Sequence, residues 1–304
     1  MVATIILNQS NLLPDGQNNK LVYQFPNSVQ FPNHEIAVQS VNMYYSWSNV
    51  NQSPLNNYNF SYQWTAGAIT TTYQVNLPNG LYEIADINAY LQFVAIQNGT
   101  YLINPAGDNV YYMELIVNPT SYAIQVNTFP VPTALPVGWS VPVADPAAGT
   151  AGWVGFPLTT FNPNLTFPAN FNQLIGFAAG FSTGLNTGVG TNLSFLSTTA
   201  PQVQPNSSVY LSISNIQNKY AIPSSIIYSL SPAVSFGEQI NEYPPQFAWN
   251  RLLAGTYNEI RLTFLGVDKQ PIPILDPNMT IVLVIRDMKE LGLQDLVATA
   301  TGGK

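Results

Sequence analysis

The chain has 304 residues; 46% are hydrophobic and 12% aromatic, yet only 8% are charged, against about 25% in an ordinary soluble domain. Fifteen acidic residues outnumber eight basic ones, and no Lys or Arg lies between Lys20 and Lys219, so a phosphate-binding basic patch is excluded over that stretch and no specific nucleic-acid partner is expected. There is no cysteine, which excludes disulfides and thiolate metal sites.

Solubility must therefore rest on Asn, Gln, Ser, Thr and Tyr. A surface this poor in charge resists association weakly, and a protein that works among neighbours is expected. Residues 1–8 lack the basic start and long apolar run of a secretory signal. No window approaches the ~18 apolar residues of a membrane span. A soluble intracellular product with no membrane span is the expectation.

Strand signals dominate the chain in order. Lys20 to Phe25 alternates before Pro26. Glu35 to Tyr45 alternates over a longer span and runs on to Val50 through Ser46-Trp47-Ser48-Asn49. Thr70 to Leu77, Asn109 to Val117 and Ser121 to Phe129 read alike, the last two joined at Asn118-Pro119-Thr120. One helix interrupts them. Ile84, Ile87, Tyr90, Leu91 and Val94 share a face, Glu83 and Asp86 sit near its start, and Gly99 stops it. A second short helix is expected at Asn170 to Phe177.

Residues 131–160 differ: rich in Pro, Gly and Ala, with Trp139 and Trp153. Tryptophans are out of place in a flexible linker. An ordered excursion with little regular structure is expected, with Trp139 and Trp153 as candidate exposed-loop aromatics. A plain insertion packed on the sandwich is the competing reading.

Near the end, Ile260, Leu262 and Phe264 alternate, Asp268 to Pro271 turns, and Ile281, Val282, Leu283, Val284 and Ile285 are all apolar. The two segments read as a strand pair. A continuous apolar strand is usually buried on both faces. One face meets the core, so 281–285 is the candidate packing or interface strand, its other face leaning on a loop, a helix or another subunit. Many short strands separated by Pro, Gly and Asn indicate an all-β sandwich or barrel.

Tools for chemistry are few. His34 is the single histidine. Gly180-Phe181-Ser182-Thr183-Gly184 matches G-x-S-x-G, but the expected short helix precedes it, a loop comes after it and His34 lies upstream, so the order of a nucleophile elbow is missing. The nearby carboxylate pairs are Glu83 with Asp86, Glu238 with Glu242, and Asp268 with Asp276. A helix start, an irregular connection and a turn account for them better than glycoside hydrolysis does. One histidine cannot make H-x-x-x-H, and neither a calcium loop nor a phosphate loop is present. No catalytic residue, metal site, cofactor or cofactor-binding residue is expected. Tyr44, Tyr45 and Trp47 form an aromatic cluster that alternation splits between two faces, favouring core packing over a sugar platform.

Several segments in order carry a family resemblance. They are Lys20 to Phe25, the strand Glu35 to Val50 with its Ser46-Trp47-Ser48-Asn49 ending, Leu77-Pro78-Asn79-Gly80-Leu81-Tyr82 before the helix, Asn172 to Phe177, and the final strand pair, read as a hairpin through Asp268 to Ile274. Together they resemble the minor capsid (penton) proteins of virophages and polinton-like viruses, in particular the mavirus type. The resemblance covers most of 20–287; residues 131–160 have no counterpart in it. It implies a single jelly roll of two antiparallel sheets; with the helices and the excursion read above, the expected fold is an all-β single jelly-roll sandwich with one or two short helices and a long loop insertion. The expected domain is 1–288, with a tail at 289–304. It further implies a homopentamer at the five-fold vertices of an icosahedral shell, a neighbouring major capsid protein, synthesis in the host cytoplasm, a place in the virion, and no enzyme. Gly302-Gly303 is similar to the Gly-Gly sites cut by maturation proteases of these viruses. Leu291, Leu293, Leu296 and Val297 of the tail would pack on the body or a neighbour. A carbohydrate- or receptor-binding β-sandwich such as a fibre head is the first rival, and a glycosidase of sandwich fold the second.

Overall fold

The computed structural model describes residues 2–288 apart from 54, 189, 202 and 204–206. In chain order its longer elements are β1 (Val2–Asn8), β2 (Lys20–Gln30), β3 (His34–Tyr44), β4 (Asn59–Ala66), β5 (Ile69–Asn76), α1 (Ile84–Gln97), β6 (Met113–Asn118), β7 (Ala123–Thr128), β8 (Asn164–Thr166), α2 (Ala169–Ile175), β9 (Leu193–Leu196), β10 (Val209–Ile213), β11 (Ile226–Leu230), β12 (Gln239–Glu242), β13 (Thr256–Leu265) and β14 (Thr280–Asp287). The described residues of 1–48 and 206–304 form one compact unit, and those of 49–205 a second.

The first unit holds two antiparallel sheets, ordered β1-β14-β3-β12 and β11-β10-β13-β2. Along the chain, β1, β3, β12 and β14 go to one sheet and β2, β10, β11 and β13 to the other. Eight strands wound between two sheets in this order make a jelly roll. Register sets the core. Ile5 and Val38 flank Leu283, and Ile36 and Val41 face Ile285 and Ile281. On the second sheet Leu21 opposes Leu262, and Leu211 opposes Phe264. All of these are buried. The period of two along β13 (Ile260, Leu262 and Phe264 in, Arg261 out) is the pattern of a strand with one face on the core.

One expectation changes here. β13 and β14 do not pair with each other: β13 lies between β10 and β2, and β14 between β1 and β3. Residues 266–279 carry the chain from one sheet to the other, so the two strongest apolar strands belong to opposite layers. The jelly-roll strands come from the two ends of the chain, and 49–205 is compact in its own right.

The second unit has its own core. β8-β4-β5 and β9-β7-β6 are its three-stranded sheets. α1 buries Ile84, Ile87, Leu91, Val94 and Ala95 beside Met113 and Leu115 in one cluster, and the Asn88 side chain accepts from the Leu115 amide at 2.9 Å. Trp64 is ringed edge-on by Tyr112, Trp153 and Phe161. α2 stops at Gly176, which has φ 75° and where a Cβ would run into the Thr199 carbonyl oxygen. Glycine is required there for both reasons. The unit's ionisable acids are Glu83, Asp86, Asp108, Glu114 and Asp145, and it has no basic residue at all.

Candidate functional site

β14 is an interior strand of its sheet, and its two faces differ. Ile281, Leu283 and Ile285 point to the core and are buried. Val282 and Val284 point outward, opposite Ser40 and Ala37 of β3 and Ile6 and Thr4 of β1. Register shifts between Val282 and Leu283, where Gln39 is the extra residue of a bulge. The outer face is half covered by the chain itself. Trp249 precedes the short strand Asn250–Arg251, which pairs with Ile36 and Glu35; continuing that register sets Trp249 opposite Ala37. The Arg286 guanidinium lies 4.0 Å from the Trp249 ring centre, and its Nε and Nη2 donate to Glu35 Oε2 at 2.9 and 2.7 Å. Ala37 and Val284 are buried under this cover. Further along, Val282 is half-buried and Ile6 is 54% exposed.

Sequence reading identifies the doubly apolar strand but not its cover. The signal lies in the run Tyr243 to Trp249, where aromatic residues sit in what reads as an irregular connection. Tyr243 donates from its hydroxyl to Asn42 Oδ1 at 3.4 Å, and Phe247 packs edge-on against Trp249.

Trp139 and Trp153 do not stand out in solvent. Both are half-buried and pack on the second unit's core, and the Trp153 indole nitrogen is buried without a partner among the described residues. Backbone bonds pin their segment: the Ala151 amide donates to Gln97 O at 2.8 Å, Trp153 to Pro142 O at 3.0 Å, and Ile103 and Ser140 bond reciprocally. A Cβ on Gly99, which has φ 63°, would collide with the Gly152 carbonyl oxygen. The helix stop and the docking of the segment thus use the same glycine. The segment's exposed apolar groups include Leu135, Val137, Val143 and Leu158.

The serine and the carboxylates weighed for catalysis have hydrogen-bond partners, whereas His34 Nδ1 is buried without one among the described residues. Ser182 donates to Asn164 Oδ1 at 2.6 Å. His34 packs edge-on against Phe31. Asp86 accepts from the Glu83 amide at the start of α1, Glu238 from the Ser235 amide, Asp268 from Gln270 and Asp276 from Asn278. Glu242 accepts from the Tyr228 hydroxyl at 2.7 Å. Burial, with that carboxylate beside it, pushes the Tyr228 phenol up to about 12. Among the described residues no three His, Asp or Glu side chains converge as metal ligands, and no helix is long and apolar enough to cross a membrane. Of the aromatic trio, Tyr45 and Trp47 are buried and Tyr44 is 38% exposed. Gly302, Gly303 and the tail's Leu291, Leu293, Leu296 and Val297 lie outside the described residues.

No protein-family model matches the chain, and no curated protein does. Among solved structures it is similar to the selenomethionine-labelled mavirus penton protein, at 11% identity and a TM-score of 0.40, covering 95% of this chain and 99% of that one. At that identity and TM-score it is a likeness and no more.

Proposed function

We infer that the chain is a structural capsid protein, a penton subunit that forms homopentamers at the five-fold vertices of an icosahedral virion beside the major capsid protein. The observation that carries this reading is a jelly-roll chain whose surface is apolar and amide-rich where an ordinary soluble domain is charged. Tyr220 and Val137 are fully exposed, and Ile222, Val143, Tyr122, Leu158 and Ile69 are each at least 72% exposed. The whole chain has 23 residues charged at neutral pH, as 8 basic and 15 acidic. Uncharged, partly apolar surface of this kind is stabilised by association, and a ring of five identical subunits is a closed heterologous interface. The order of motifs across 20–287 supports the same reading. Its mechanism is assembly, by burial of apolar and neutral polar surface, with no catalytic step.

Native mass measurement and negative-stain microscopy test it, on the protein alone and co-expressed with a major capsid protein. A pentamer, or five-fold rings formed only with that partner, is expected. A chain that stays monomeric in both settings overturns the reading.

A further inference from the structure

One recess in the jelly-roll unit belongs neither to the core nor to the cover over β14. It has a volume of about 550 Å³, and its polar lining includes Asn8, Ser10, Asn42, Tyr44, Gln239 and Thr280. Its floor is set by strand register. Asn8 opposes Thr280, Thr280 opposes Asn42, and Tyr44 opposes Gln239. Partners opposed across antiparallel strands project to the same face. A row of neutral polar groups therefore crosses the outer face of the sheet, with a tyrosine at its side.

The lining sets the class of occupant. No lining residue is charged, which disfavours phosphates, carboxylates and amines, each of which needs a counter-charge to offset desolvation. Apart from Met279, the side chains offer primary amides, hydroxyls and one aromatic ring. Amides and hydroxyls each both donate and accept, matching the hydroxyls of a sugar. The Tyr44 ring offers an apolar face for the C–H side of a pyranose. Among the described residues the Asn42 side chain meets the Tyr243 hydroxyl alone, at 3.4 Å. The volume lies within the roughly 300–1,000 Å³ of small-molecule sites.

We propose that this recess binds a neutral carbohydrate, with Tyr44 as the stacking platform and Asn42, Gln239 and Thr280 reading the sugar hydroxyls. The proposal does not depend on five-fold assembly, since every lining residue belongs to one subunit's jelly roll.

Saturation-transfer NMR on the full chain tests it, using a panel of neutral hexose, N-acetylhexosamine and sialylated oligosaccharides. Transfer to at least one neutral glycan is expected, with an affinity that does not change as salt is raised, because no charge pair is involved. Tyr44→Ala should weaken that binding by at least about tenfold, which is about 1.4 kcal/mol, with the circular dichroism unchanged. Should Tyr44→Ala disturb the fold, Gln239→Ala on the exposed β12 residue supplies the same comparison. No transfer to any neutral glycan, binding confined to sialylated glycans, or neutral binding unaffected by the substitution in a folded variant each overturns the proposal. The oligomeric state measured on the same samples separates failure here from failure of the assembly reading.

Discussion

Asn49 shows how one side chain gives a sequence motif its physical meaning. It is buried, its Nδ2 donates to the Tyr82 and Val203 carbonyls at 2.8 and 2.6 Å, and its Oδ1 accepts from the Tyr82 amide at 2.8 Å. The Asn49 and Val50 amides donate to Gly80 O, and the Gly80 amide returns a bond to Val50 O. The last residue of Ser46-Trp47-Ser48-Asn49 thus locks onto the turn Pro78 to Tyr82, two segments that sequence alone could only place in order. Ser46 holds a different site: its carbonyl accepts from Leu275 and its Oγ from the Asp276 amide. Asn49→Ala would leave one donor and two acceptors of the backbone part-buried and without this partner, and partial access to water keeps each loss at the low end, about 1 kcal/mol per group. The expected cost is about 3 kcal/mol, read by chemical denaturation. Faster exchange of the Tyr82 amide should accompany it, and an unchanged denaturation midpoint would refute the assignment.

At the scale of the element, β14 separates what folding needs from what the surface offers. Leu283 is fully buried between Ile5 and Val38, so Leu283→Ala should cost about 2–5 kcal/mol through lost burial and the cavity left behind. Ile6 sits on the outer face of the neighbouring strand and is half exposed. Ile6→Ser should change the stability of the isolated chain by no more than about 0.5 kcal/mol. Thermal unfolding of both variants checks the pair, and equal losses would mean that the outer face is as well covered as the inner. The strand is legible because an unbroken apolar run of its length, closed by charged Arg286 and Asp287, fits a buried strand and little else. Two other strands, β1 and β4, are not legible in this way. β1 reads as a short apolar run, and β4 hides Phe60, Tyr62 and Trp64 among polar residues at a clean period of two. The pairing of β14 with β1 rather than β13 is a choice between sheets, and hydrophobic periodicity carries no information about which layer a strand joins. The recess is illegible for the same reason: its residues come from four distant segments that only register assembles. Of the Tyr44, Tyr45 and Trp47 cluster, alternation does set Tyr44 apart from its buried neighbour, which is the part of that site the sequence shows.

At the scale of the molecule, scarcity of charge makes tyrosine the main group that responds to high pH. The chain has 17 tyrosines, and burial sets several of them apart. In 49–205, burial pushes Tyr112 up to about 12 and also raises Tyr62, Tyr73, Tyr82 and Tyr101. In the jelly-roll unit, Tyr45 and Tyr228 are raised. A phenol whose folded pKa lies above its unfolded value near 10 favours the native state while neutral. That stability is fully present below about pH 10 and is lost as pH climbs toward about 12 and beyond, because the unfolded chain releases its protons first. The second unit has more of these phenols, and it has no basic side chain to offset the tyrosinates. Rising pH should therefore unfold 49–205 before the jelly roll. Tyrosinate absorbance followed together with peptide-resolved hydrogen exchange, from about pH 9 to about pH 12, measures this order. Tyr112→Phe should move the alkaline transition of 49–205 upward in pH, because one fewer buried phenol is left to ionise on unfolding. A transition that begins in the jelly roll, or one that ignores that substitution, would show that buried phenols do not set the alkaline limit.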